Sequence, residues 1–169
     1  MATIADLNLI KDRIRDLLLS ANTTTASPID LSNGLANSQR VKQVLKINPQ
    51  MIVPQPSFFP LVSCFIENKA IRREDIASNQ LATKRRATVN ISIVGTVWND
   101  NYVSLDEDPA DEDINSLMEN IELIMRSDAN LGGVVSWQKP SDVTYYTTVL
   151  DEQTHLRSGV LKLDCELWY

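Results

Sequence analysis

The chain is poor in the residues on which most catalysis depends. Its 169 residues include one histidine, two cysteines and five glycines. The histidine, His155, lies in the stretch DEQTHLR between two apolar segments and reads as a solvated turn residue. A nucleophile triad needs a histidine held by a carboxylate and facing a serine or cysteine, and a lone turn histidine does not supply one. Neither GxSxG nor a glycine-rich phosphate loop occurs. An enzyme is therefore not expected, and no cofactor is implied. Cys64 and Cys165 sit in separate apolar segments, without a CxxC or a Cys/His cluster, which excludes a zinc site of the usual spacing. They read as two buried thiols in a reducing compartment, or as one disulfide if their segments are adjacent.

Long apolar runs are also missing. No segment approaches the ~20 residues of a membrane-spanning helix. Asp6, Lys11, Asp12, Arg13 and Arg15 interrupt the first twenty residues, which argues against a signal peptide. The expected location is the cytoplasm, or a particle assembled there. With 43% hydrophobic and 22% charged residues, the composition is that of an ordinary globular chain, and its length suits a single domain over 1–169. The net charge of −6 disfavours tight nucleic-acid binding, though not a protein that DNA merely passes.

Periodicity supplies the elements. Leu7, Ile10, Ile14, Leu17 and Leu18 mark one face of a helix over 4–20. Residues 21–60 lose that period. Asn33-Gly34 signals a turn, Val41, Val44 and Leu45 allow a short helix over 39–46, and Pro49, Pro54, Pro56 and Pro60 favour extended backbone. The stretch 22–57 reads as an extended arm or loop within the domain. Strands are expected at 59–68, and at 87–99, where Val89, Ile91, Ile93 and Val97 alternate with polar residues. A polar loop, Lys69 to Arg86, lies between them. A second helix follows the acidic connector and runs to about Arg126, its buried stripe Ile114, Leu117, Met118, Ile121 and Met125. Gly132-Gly133 then makes a turn, and strands are expected at 134–138, 143–150 and 158–169, the last two joined as a hairpin. In the last, Leu161, Leu163, Cys165 and Leu167 face one way, and Lys162, Asp164, Glu166 and Trp168 the other. The fold class is α+β: a mostly antiparallel β-sheet packed on one face by two α-helices, with a long Pro-rich extended segment.

Two charge clusters stand out. Asp106, Glu107, Asp108, Asp111, Glu112 and Asp113 form an acidic run that reads as a helix-capping connector. As a calcium loop it fits poorly, because the sixth position from Asp106 is Asp111 where an EF-hand needs glycine, so no metal site is assigned. Lys84, Arg85 and Arg86, with Arg72 and Arg73 upstream, form a basic counterpart. They read as a charged strand flank or as a contact for an acidic neighbour. A nucleic-acid patch would want interleaved aromatic residues, which the run lacks.

Taken in order, these segments resemble the tail-terminator proteins of tailed bacteriophages. The likeness rests on the opening helix, on Phe59-Pro60-Leu61-Val62, and on Arg85-Arg86 ahead of ATVNISIVG. It continues through the acidic linker into LMENIELIMRSDANLGG (117–133) and the closing Arg157, Gly159, Val160, Leu161, Trp168 and Tyr169. It covers 59–169 and the first helix by position; the 22–57 stretch is longer than a minimal member needs. The resemblance implies a virion protein forming a homohexameric ring on the tail tube at the tail–neck junction. Its partners would be itself, the tail tube protein, a head-completion or connector protein and, in contractile tails, the sheath, with DNA passing the lumen unbound. The basic residues 72, 73 and 84–86 and the acidic run 106–113 are then candidates for subunit or neck contacts. Another neck component is the nearest alternative, and a small acidic calcium- or protein-binding module the next.

Overall fold

The computed structural model describes residues 6–22, 29–35, 40–74, 84–100 and 109–168. The first helix, α1 (Leu7–Ala21), starts at the first residue of its apolar stripe rather than at residue 4, because Asp6 caps it. The Asp6 carboxylate accepts the backbone N–H of Asn8 at 2.9 Å, one of the donors a helix start leaves without a partner. Ile10, Ile14 and Leu18 are buried, while Leu7 and Leu17 pack at the rim.

The stretch expected as a short helix is instead a strand, β1 (Gln43–Leu45). It runs parallel to the start of β2 (Leu61–Glu74), and the N–H of Lys42 donates to the carbonyl of Pro60 at 2.8 Å. Val41, Val44 and Leu45 are β-branched or bulky residues, and a free sheet edge offers ladder bonds that an isolated turn of helix lacks. Between β1 and β2 the proline-rich stretch makes two short 3-10 turns, Pro49–Met51 and Pro56–Phe58, joined by extended residues. The described parts of 22–57 lie against the body. Leu31, Leu35, Val41 and Val44 join the core, and the buried Asn120 side chain donates to the carbonyls of Leu31 (3.1 Å) and Asn33 (2.7 Å).

The other strands are β3 (Lys84–Asn99), β4 (Trp137–Val149) and β5 (His155–Trp168). The sheet order is β1-β2-β3-β5-β4, antiparallel throughout except for β1. This is the expected α+β architecture. Three local expectations are corrected. The described residues of the polar loop Lys69–Arg86 are strand, because β2 and β3 stay paired out to Glu74 and Lys84. The segments 134–138 and 143–150 merge into the single strand β4, whose register slips between Pro140 and Asp142, where proline cannot donate to the ladder. His155 is the buried first residue of β5, its ring Nε2 3.5 Å from the Asn99 side chain, rather than a solvated turn residue.

The second helix, α2 (Pro109–Ser127), buries the expected stripe Ile114, Leu117, Met118, Ile121 and Met125, and Ile124 besides. It packs on the face of the sheet that carries Val89, Ile91, Ile93, Leu161 and Leu163, with α1 beside it over β2. Gly95 and Gly159 are direct cross-strand partners on that face. A Cβ at Gly159 would come 2.4 Å from Met118 Cγ, and one at Gly95 would come 3.0 Å from Met118 Sδ. The two glycines thus form a dent that receives Met118 and lets α2 sit close to the sheet. Beyond α2, Leu131, Gly132 and Gly133 all take positive φ, and the Gln138 side chain donates to the carbonyls of Met125 and Asp128, tying the helix end to β4.

Cys64 and Cys165 are both free and buried. They flank β3 on opposite sides, pairing with Ile93 and Val89. Two strand spacings, about 9.5 Å, exceed the ~7 Å Cα reach of a disulfide. Burial raises the thiols to about 11 for Cys64 and about 12 for Cys165. Since the thiolate is the reacting form, a thiol reagent near neutral pH should label neither cysteine until denaturant unfolds the chain. Rapid labelling of the folded protein would contradict this placement.

Candidate functional site

The sheet has a second face that neither helix covers. The even-numbered positions of β3 and β5 from Arg86 and Trp168 upward point to it, as do Trp137 and Lys139 on β4. It is a polar surface. The Asn90 side chain donates to Asp164, Ser92 donates to Glu67, and the hydroxyls of Thr96 and Ser158 meet at 3.1 Å. At the Thr96–Ser158 end the segment from Pro49 to Pro54 rises over this face. There a groove of about 410 Å³ opens, lined by Ile52, Phe59, Tyr146, Leu150 and Leu156 among others.

The opposite end carries a compact cluster. Arg86 pairs with Glu166 at 2.5 Å, and its guanidinium lies 5.7 Å from the centre of the Trp168 ring. The Trp168 indole N–H donates to the same carboxylate at 2.8 Å, and Trp137, the cross-strand partner of Glu166, donates to it as well. Desolvation raises the Glu166 carboxyl, but the bonds from Arg86, Trp168 and Trp137 outweigh it and hold the group below the ordinary glutamate value. One carboxylate thereby fixes two indoles and a guanidinium. Trp137 stays 42% exposed and Trp168 39% exposed.

The basic candidates converge at this end. Cross-strand pairs place Arg72 opposite Arg86, Arg73 opposite Arg85 and Glu74 opposite Lys84, so the five basic residues share the last paired rows of β2 and β3. The acidic candidates do not join them. Asp106, Glu107 and Asp108 lie outside the described residues. Asp111 and Glu112 occupy the first turn of α2, and Asp111 accepts from Arg157 at 2.7 Å. Arg157 is the partner of Val97, eleven residues along β3 from Arg86, or about 36 Å. Glu112 is exposed, as expected, but Asp113 is buried on the core side of the helix rather than solvated. Among the described residues, no three His, Cys, Asp or Glu side chains group so as to hold a metal ion, and no helix is long and apolar enough to cross a membrane.

The local sequence does not mark Trp137, Trp168 and Glu166 as one cluster. Half of the signal was visible, since the strict alternation of 158–169 put Glu166 and Trp168 on one face. The other half was the register that sets Arg86 and Trp137 beside them, and local pattern does not encode it. The aromatic residues that Lys84–Arg86 lacks in sequence are supplied in space by β4 and β5. No family model matches the chain, and no curated protein matches it.

Proposed function

We propose that this chain is a structural subunit of a tailed-bacteriophage virion, forming a ring that caps the tail tube, ends its polymerisation and joins the tail to the head connector. The observation that carries the assembly part is β4. This strand of 13 residues forms a sheet edge, and no strand pairs with its outer side among the described residues. From Thr144 to Val149 every side chain is exposed, including Tyr145, Tyr146 and Val149. Monomeric chains blunt such edges with charge, proline or bulges, and here Lys139, Pro140 and the register slip to Asp142 do so only in the first half of β4; the half from Val143 to Val149 has none of them and invites pairing. The tail-end role rests on the order of segments described above, from the opening helix to the closing aromatic strand.

In that role the copies meet head to tail, and each offers two different complementary surfaces. The basic rows of β2 and β3 and the acidic start of α2 lie too far apart to meet within one copy, which suits them to contacts between subunits or with the neck. Tail tube protein and head connector occupy the two sides of the ring, and DNA passes through it. Disrupting the gene should give tails of uncontrolled length that do not join heads in negative-stain images. Mass spectrometry of intact virions should find the chain. Normal tails at normal titre without the protein would refute the proposal.

A further inference from the structure

The cluster at the Arg86 end leaves two indole rings part-exposed on the open face of the sheet. Both indole N–H groups are satisfied by Glu166, so what Trp137 and Trp168 still show to solvent is their apolar rings, with Arg86 stacked beside one of them. Trp and Arg are the residue types most enriched among the energetic anchors of interfaces. Here they are pre-fixed by one shared carboxylate, which lowers the ordering cost of binding.

A surface of matching chemistry exists on the same chain. Along the outward side of α2, Glu112, Glu119 and Leu123 fall at i, i+7 and i+11, one solvent-facing stripe. Glu112 and Glu119 are exposed, and Leu123 is a large apolar residue left 52% exposed. Two acids and a leucine complement a guanidinium and two indole faces. The stripe cannot reach the cluster in its own copy, because the sheet lies between them. We propose that Trp137, Trp168 and Arg86 on the open face of one copy dock on the Glu112–Glu119–Leu123 stripe of α2 in a second copy. The contact is heterologous, each copy using both surfaces, so it propagates from copy to copy and closes where the rotation permits. Single-stranded nucleic acid is the other class that stacks on tryptophan beside arginine. It is disfavoured because every nucleotide carries a negative charge and the chain's net charge is −6, whereas the stripe brings two carboxylates and an apolar side chain.

The inference rests on the self-assembly half of the proposed function and does not need the phage half. The test combines sedimentation of the full-length protein across a concentration series at low salt with acrylamide quenching of its tryptophans, in a Trp98→Phe background that leaves only Trp137 and Trp168. Assembly is expected to shift their emission to the blue and to reduce quenching by about half or more, as burial in a contact does. Leu123→Glu and Glu119→Lys, both on the exposed helix side, should weaken association about tenfold or more and leave the monomer's melting temperature unchanged. A chain that stays monomeric at every concentration overturns the proposal, as does assembly that leaves both indoles open to acrylamide or is indifferent to the two helix variants. Quenching by oligothymidylate in place of self-association would assign the cluster to nucleic acid and overturn it too. If rings form with both tryptophans still exposed, another surface makes them, and the tail-end role stands while this docking falls. If docking holds but virions lack the protein, the reverse is true.

Discussion

Ile121→Ala should be the most damaging single truncation in the chain's core. Ile121 has no exposed surface, and it sits at the centre of the α2 stripe between Leu117 and Met125, facing the sheet. Removing three carbons there forfeits transfer energy and leaves a cavity that flanking strands cannot collapse to fill, a loss of about 2–5 kcal/mol. At the 2–4 °C per kcal/mol typical of chains of this size, the melting temperature falls by about 4–20 °C. Calorimetry or a circular-dichroism melt decides it. An unchanged midpoint would mean that α2 does not pack as described.

The second large effect is expected at Arg86→Glu. In the native chain the guanidinium meets Glu166, whose carboxylate also takes both indole donors. Reversal sets two carboxylates face to face at a half-buried site and strips the cation from the Trp168 ring. The denaturation midpoint should fall, and tryptophan emission should shift to the red as Trp137 and Trp168 loosen. Acid should reproduce part of this in the native protein. Glu166 titrates lower in the folded state than in the unfolded chain, so its contribution is fully present above the unfolded value and fades as pH falls through the folded one. The indole emission should therefore hold through the ordinary glutamate range and change only below it. A double reversal, Arg86→Glu with Glu166→Arg, should recover the midpoint in part. If the single reversal moves neither midpoint nor emission, the cluster is not the unit described.

Much of the fold was legible because its helices carry regular stripes. Ile114, Leu117, Met118, Ile121 and Met125 all proved buried, and the alternation of Val89, Ile91 and Ile93 marked the core face of β3 correctly. What failed were places where tertiary pairing overrode local signal. Polar residues between Lys69 and Arg86 read as loop, yet each strand supplies the other's ladder bonds out to Glu74 and Lys84. His155 read as turn because five polar neighbours surround it, but pairing with Asn99 draws it under cover. Val41 to Leu45 lacked the length to show a period, and an available edge decided their state. The candidate site divided the same way. The charges were visible as runs along the chain, whereas the tryptophans beside Arg86 came from strands more than fifty residues away, and only the register of β3, β5 and β4 brought them there.

The dent formed by Gly95 and Gly159 ties the sheet's integrity to a helix. Elsewhere along β3 and β5, opposed side chains such as Ile91 with Leu163 reinforce the ladder on the core face. At the glycine row that reinforcement is missing, and Met118 of α2 fills the place. Strand pairing and helix docking therefore share one point of support near the middle of the longest ladder. When α2 lifts, water reaches bare backbone between the two strands, so the helix and the β3–β5 strand pair open as one cooperative unit.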